Sequence, residues 1–260
     1  MSTCLWFHSS NSGPAEAGLL AAAAGRQGVE LIAVARGAAT DLRGQAEAAL
    51  ATAPAGRFAA AGWSVGAAIA LACAALAPDR VTGAVLVNPA APGPLDAQQR
   101  AIAWACRRAP WLIRRVLAPL MVRTVDVTPE QLADPRVRAR RLRFFPAVDR
   151  AVFVKLLADP DERAVFGQLA AQAVAAGSAA VDADLQMLWG RDWGFDPAAV
   201  AVPVHLVVGA ADPSRAFALP GATVHRMPGG HHGWLADRDR VAAVLAEIVS
   251  PCSSNPPRCR

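Results

Sequence analysis

Short apolar runs separated by alanine-rich stretches recur along this chain, and no other feature constrains its fold as much. Cys4–Phe7, Val29–Ala35, Arg57–Ala61 and Val81–Val87 are brief, apolar and bounded by turn residues. Such runs suit strands buried on both faces. Between them lie Ala15–Ala24, Leu42–Ala51 and Ala67–Leu76, built of alanine, leucine and a few polar residues. These read as helices. Alternation of this kind is the mark of βαβ units, and right-handed crossovers place helices on both faces of the sheet. The expected class is therefore α/β, with a mostly parallel sheet flanked by helices.

The pattern changes after Pro94. From about Asp96 to Arg191 the periodicity is helical, and Pro110, Pro119, Pro129, Pro135, Pro146 and Pro160 cut it into short helices. Strand signals return at Pro203–Gly209 and Ala222–Arg226, and Arg240–Val249 reads as a closing helix. The expected division is a core over residues 1–95 and 192–250, a helical insertion over 96–191, and a loose tail over 251–260.

Composition excludes several classes. Hydrophobic residues make up 54% and charged residues 18%, so the chain can bury a core and is not disordered. No apolar stretch approaches the ~20 residues of a membrane span without Gly, Pro or charge interrupting it. The first residues, Met1–His8, show no basic region or cleavage pattern, so the expected location is cytoplasmic. Five cysteines, Cys4, Cys73, Cys106, Cys252 and Cys259, fit no zinc spacing and read as reduced thiols. The net charge is +5, and eleven arginines against three acids fall between Arg100 and Arg143. A basic segment can bind nucleic acid, an anionic membrane or an acidic protein. Without aromatic interleaving or a nucleic-acid motif, it reads first as a solvated helical face.

Chemistry enters at Gly62-Trp63-Ser64-Val65-Gly66, a G-x-S-x-G pattern placed after a strand and before a helix. Its glycines let a sharp turn lie against neighbouring backbone, which lifts the Ser64 hydroxyl to the carboxyl edge of the sheet. A serine hydroxyl needs a base to take its proton. His205 and His225 fall inside predicted strands and point to packing or solvent, and His8 ends the first strand. His231 and His232 follow Pro228-Gly229-Gly230, at the same edge as Ser64, and one of them is the natural base. Asp212 follows its strand through Gly209-Ala210-Ala211 and lands at that edge too. An acid there can accept a hydrogen bond from the imidazole and hold its tautomer. The plainer readings are a solvent-facing serine in a tight turn and an aspartate that caps a helix.

Together these residues resemble the α/β-hydrolase superfamily over nearly the whole chain. Ala75–Val81 and Val85-Leu86-Val87-Asn88-Pro89 are similar to the helix and strand after its nucleophile elbow. Gly209–Pro213 is similar to its acid loop and Pro228–His231 to its histidine loop, which favours His231 over His232. The resemblance implies Ser64, Asp212 and His231 as a catalytic triad and an oxyanion hole from the backbone N–H groups of Val65 and of the loop near Ser10. It also implies that the insertion is a cap. The expected activity is ester or thioester hydrolysis of a small or acyl substrate, with Trp63, Trp104, Phe144, Phe145 and Leu188 at the substrate. Trp111, Leu112, Ile113, Val116, Leu117, Met121, Phe153 and Met187 are further candidates for an apolar pocket, although most such residues simply pack helices. Trp63 beside the nucleophile also occurs in carrier-protein methyl ester esterases, so an acyl carrier protein at the basic cap is a candidate partner. No cofactor, metal, nucleic acid or membrane span is implied.

The chain departs from the pattern in four places, one being that only Ala35-Arg36-Gly37 represents the usual glycine-rich loop after the second strand. His8-Ser9 replaces the usual His-Gly, the usual N-terminal hairpin is missing so that the core is N-terminally shortened, and only 19 residues separate Asp212 from His231. These departures support a second reading, a degenerate relative that binds a ligand or protein through the basic cap without turnover.

Overall fold

The structure, a computed structural model, describes residues 1–91 and 96–249. Its centre is a six-stranded sheet of order β2-β1-β3-β4-β5-β6. The strands are β1 (Ser2–Phe7), β2 (Val29–Val34), β3 (Phe58–Trp63), β4 (Val81–Val87), β5 (Val204–Gly209) and β6 (Thr223–Met227). Every neighbouring pair is parallel. The expected tail at residues 251–260, with Cys252 and Cys259, lies outside the described residues.

Alternation along the strands explains the layers. Leu5 and Phe7 of β1 join the buried cluster that contains α2 (Leu42–Thr52) and α3 (Val65–Leu76). Cys4 and Trp6 point the other way, into the cluster of α1 (Gly18–Arg26) and α11 (Arg238–Val249). The two faces of a strand point to opposite sides of the sheet, so one apolar run feeds both cores. Ten residues of helix α3 are buried, five of them alanine and one glycine. Cys4, Cys73 and Cys106 are buried free thiols. Burial pushes the Cys73 thiol up to about 12 and Cys106 to about 11, which keeps them protonated.

The chain leaves β1 for β2 on one side and then crosses to β3 on the other. Open α/β sheets form their ligand crevice at such a switch point, outside the carboxyl ends of the strands. The loops after β1 and β3 therefore meet at one edge.

A helical insertion runs between β4 and β5. It contains α4 (Ala97–Arg108), α5 (Pro110–Leu112), a π-helical turn at Ile113–Leu117, and α6 (Ala118–Val125). Then come α7 (Pro129–Ala133), α8 (Pro135–Leu142), α9 (Ala147–Leu156) and α10 (Pro160–Leu185). The prolines start helices here rather than end them: Pro110, Pro129, Pro135 and Pro160 each hold a first helical position, where a missing N–H costs nothing.

Helix α10 differs from the expected short pieces. No proline falls between Pro160 and Pro197, so an alanine-rich helix of 26 residues forms, broken in geometry only at Gly177 (φ 71°). With the turn that follows, Pro160–Gly190 is by length and composition apolar enough to cross a membrane, although Gly167, Gly177, Asp182 and Asp184 interrupt it. In the fold it is tied to the rest of the chain by Asp184, 2.5 Å from Arg36, and Asp182, 3.1 Å from Arg114.

Candidate active site

Ser64 lies between β3 and α3 with φ 57° and ψ −117°, a left-handed strained conformation for a residue with a side chain. Close packing forces it. A Cβ at Gly66 would overlap the carbonyl oxygen of Phe7, and one at Gly62 would overlap the backbone of Gly66. Only glycine lets the start of α3 press against β1, and the turn so held presents Ser64 to a cavity of about 380 Å³. Ser64 is also the residue before the first turn of α3, so the N–H of Val65 has no intrahelical acceptor.

His231 lines the same cavity. Its Nδ1 is 2.7 Å from Asp212 Oδ2. Asp212 is 2% exposed, and its Oδ1 accepts the N–H of Ser214 at 2.7 Å. Burial alone would raise this carboxyl, but the His231 contact and the Ser214 N–H hold it below the usual carboxylate range. Among the described residues no hydrogen bond joins the Ser64 hydroxyl to His231. The two share the cavity wall, and such contacts are often long before substrate binds.

His232 has a separate partner. Its backbone N–H donates to Asp149 Oδ1 of α9 at 3.1 Å. Its Nδ1 lies 3.4 Å from Asp149 Oδ2, out of line for a hydrogen bond. Its ring stands against Phe145 and Phe153, with centroids 5.2 and 4.8 Å away. Burial lowers its basicity. His231 is thus the histidine that meets Asp212, and His232 anchors the insertion to the loop.

The loop after β1 is built on Glu16, which is fully buried. Its carboxyl accepts the Ser9 N–H at 3.0 Å, the Ser9 hydroxyl at 2.6 Å and the Trp6 indole N–H at 3.0 Å. Burial pushes Glu16 up, and these donors pull it back. With the Ser9 N–H consumed, Ser10 is the next residue facing the cavity. The left-handed residue of this loop is Asn11 (φ 57°), not Ser9, so the His8-Ser9 pair needs no glycine-like backbone. His8 is buried, and burial with the Arg36 charge lowers it to about 4. Arg36 donates to the His8 carbonyl at 2.7 Å and pairs with Asp184, so it links the loop to α10.

Asn88, at the end of β4, was not singled out by its sequence. It is 1% exposed with φ 40°. Its Nδ2 donates to the His231 carbonyl at 2.8 Å, and its Oδ1 accepts the Gly209 N–H at 2.7 Å. It therefore fastens the acid and histidine loops to the centre of the sheet. A signal was present: an amide that ends an otherwise apolar strand.

The insertion supplies the apolar wall, with Met121, Leu132, Phe145, Phe153, Phe166 and Leu169 among its residues. Trp63 and Phe145 line the cavity as expected substrate contacts would. Three others do not. Trp104 is 60% exposed, because α4 turns Ala103, Ala105 and Cys106 inward instead. Phe144 is 62% exposed with the Arg143 guanidinium over its ring. Leu188 is buried beside Trp189 and Trp193 in the core on the α2–α3 face. The arginine run is partly structural: Arg107, Arg138 and Arg141 donate to carbonyl oxygens within the insertion.

Comparison with known proteins bears on the fold. A family model described as "alpha/beta hydrolase fold" matches residues 18–108, which include the elbow at Ser64. The chain has the α/β-hydrolase fold. Among solved α/β-hydrolases, a fold protein from Nakamurella multipartita is 21% identical, with 95% of this chain and 92% of that one covered at a TM-score of 0.57. An esterase from Thermogutta terrifontis is 16% identical, covering 96% and 91% at a TM-score of 0.59. The type II thioesterase BorB of the borrelidin biosynthetic cluster is 17% identical, covering 96% and 93% at 0.57. No curated protein matches the sequence. These neighbours, all under 25% identical, show the fold.

Proposed function

We propose that this α/β-hydrolase is a serine hydrolase that cleaves ester or thioester bonds of acyl substrates through an acyl-enzyme on Ser64. The observation that carries this is the His231–Asp212 contact of 2.7 Å beside a serine held on a strained turn at the same cavity. Ser64 Oγ attacks the substrate carbonyl while His231 Nε2 takes its proton. Asp212 holds the Nδ1–H tautomer and stabilises the imidazolium. The backbone N–H groups of Val65 and Ser10 receive the oxyanion. His231 then gives its proton to the leaving alkoxide or thiolate. Water repeats the sequence on the acyl-enzyme, releases the acid and restores Ser64.

The apolar wall suits an acyl chain, since ligand cavities of roughly 300–1,000 Å³ bury most of a small ligand. The exposed arginines of the insertion, Arg115, Arg136, Arg140 and Arg143, make an acidic acyl carrier protein the carrier to test. If salt leaves turnover of a carrier-bound substrate unchanged, that electrostatic part of the reading fails.

The experiment is labelling with a fluorophosphonate, comparing the native protein with Ser64→Ala and His231→Ala. Loss of labelling in both variants is the expected result. A folded native protein that does not label would overturn hydrolysis in favour of a ligand-binding relative.

A further inference from the structure

We propose that His205, His225 and Glu247 form a binding site for a divalent transition-metal ion, zinc by preference, on the α11 face of the sheet away from Ser64. The register of β5 and β6 brings the ligands together. Val207 pairs with His225, and His205 lies two residues before Val207 on the same face. Helix α11 crosses that face and contributes Glu247.

The ligand atoms are spaced as a metal requires. His205 Nδ1 is 3.1 Å from His225 Nε2 and 3.7 Å from Glu247 Oε2. All three ligand atoms lie within 4.8 Å of one another. Tetrahedral zinc, with bonds of about 2.0–2.2 Å, sets its ligand atoms roughly 3.3–3.5 Å apart. The observed spacings bracket that value, so an ion can enter with side-chain adjustment alone. Two imidazoles and one carboxylate suit zinc, copper or nickel better than magnesium or calcium.

Access and protonation agree with the geometry. His205 and His225 are half-buried and Glu247 is exposed, which leaves a fourth position for water. Both rings must bind the ion in their neutral form. An ion here replaces the proton that the two rings share, and that proton moves to the outer nitrogen of one ring.

The site lies outside the catalytic machinery. His205 is four residues before Gly209, about 13 Å along β5 from the carboxyl edge. Its consequence is mechanical. The ion would tie edge strand β6 to β5 and α11, and β6 runs directly into the loop that carries His231.

The test uses the full chain, stripped with a chelator and titrated with zinc alone by calorimetry and thermal melting. Native protein should bind one equivalent with a raised Tm. His205→Ala and His225→Ala should weaken that binding at least tenfold, and Glu247→Gln should weaken it less. His231→Ala should leave it unchanged. Cobalt(II) should show the visible bands of tetrahedral coordination, and these should vanish in His225→Ala. Glu247 is exposed, so its variant folds and keeps the test open if a histidine variant does not. The proposal is overturned if native protein takes up no zinc, if zinc affinity survives in His225→Ala, or if it is lost in His231→Ala instead. Each of these readouts is independent of hydrolysis, so failure here leaves the role of Ser64 untouched, and the reverse.

Discussion

The Asn88 carboxamide lies between the two loops that carry His231 and Asp212, donating to the His231 carbonyl at 2.8 Å while accepting the Gly209 N–H at 2.7 Å. Asn88 is 1% exposed and Gly209 is buried, so the Gly209 N–H is shielded from water, whereas the His231 carbonyl also accepts the Trp63 indole N–H at 3.2 Å. Asn88→Ala leaves the Gly209 N–H without this acceptor, and an orphaned buried group costs about 1–3 kcal/mol, while the His231 carbonyl keeps the Trp63 indole N–H. It also puts alanine at φ 40°, where asparagine is better tolerated. The expected loss is about 1–3 kcal/mol in urea unfolding, with the proposed esterase activity falling as His231 drifts from Asp212. A stability change below about 0.5 kcal/mol, the range of ordinary surface substitutions, would remove this role from Asn88.

Glu16 governs the loop on the other side of Ser64. Its carboxyl oxygens accept N–H and O–H donors from Trp6 and Ser9. Glu16→Gln turns one acceptor into a donor, which must face either the indole N–H or the Ser9 groups. The loop then shifts, and Ser10 with it. Losing one oxyanion donor costs about 10²–10³ in kcat, so a displaced donor should cost about tenfold. Steady-state kinetics on a simple ester should show the loss in kcat with KM little changed. An unchanged kcat would mean that Glu16 only holds the fold.

How much of this could be read in the sequence depends on how local the cause is. Strands such as Val81–Val87 announce themselves because burial on both faces demands a continuous apolar run. The elbow is legible because its five-residue pattern is contiguous, although the contact that requires glycine at Gly66 is with the Phe7 carbonyl of β1. Asp212 and His231 follow from the parallel sheet, which puts every strand's end at one edge. Asn88, Glu16 and Asp149 do not, because their partners are 121–143, 7–10 and 83 residues away, and only the folded arrangement shows what a buried polar side chain meets. In the insertion, periodicity gave helices without their orientation. Trp104 and Phe145 looked equivalent, yet one faces solvent and the other the cavity. His205 and His225 read as unrelated strand residues until β5 and β6 are set in register.

His8 should make the protein acid-sensitive well above the range of the carboxylates. Its folded-state value is lowered to about 4 from 6.5, by burial first and by the Arg36 charge second. Between those values the unfolded chain binds a proton that the folded chain does not, so stability falls as pH drops from 7 towards 4. For one such group the loss between pH 7 and pH 5 is about 2 kcal/mol. His8→Asn keeps a donor for the Ser9 carbonyl and removes the titration. Urea unfolding at the two pH values should show native protein losing about 2 kcal/mol more than the variant. Asp212, which is lowered, gives stability that is lost only as pH falls through its own folded value, below the usual carboxylate range, and adds nothing in this window. Equal pH slopes for the two proteins would show that His8 titrates as it does in the unfolded chain.

The apolar wall of the cavity should set acyl length in the proposed reaction. Leu169 of α10 lines the cavity together with Phe153 and Phe166, and it is 9% exposed or less. Leu169→Trp adds bulk to a space of about 380 Å³ without touching Ser64, His231 or Asp212. A short acetyl group needs only the room next to the serine, whereas a longer chain must extend along the wall that the indole now fills. Removing room for even a few methylenes, at about 0.8 kcal/mol of burial each, should cost long-chain esters tenfold or more in kcat/KM. Acetate esters should change by less than about threefold on the same energy scale. A panel of p-nitrophenyl esters of graded length measures both. If long and short esters fall together, the substitution has disturbed the site as a whole. If neither falls, the acyl chain takes a route that does not pass Leu169.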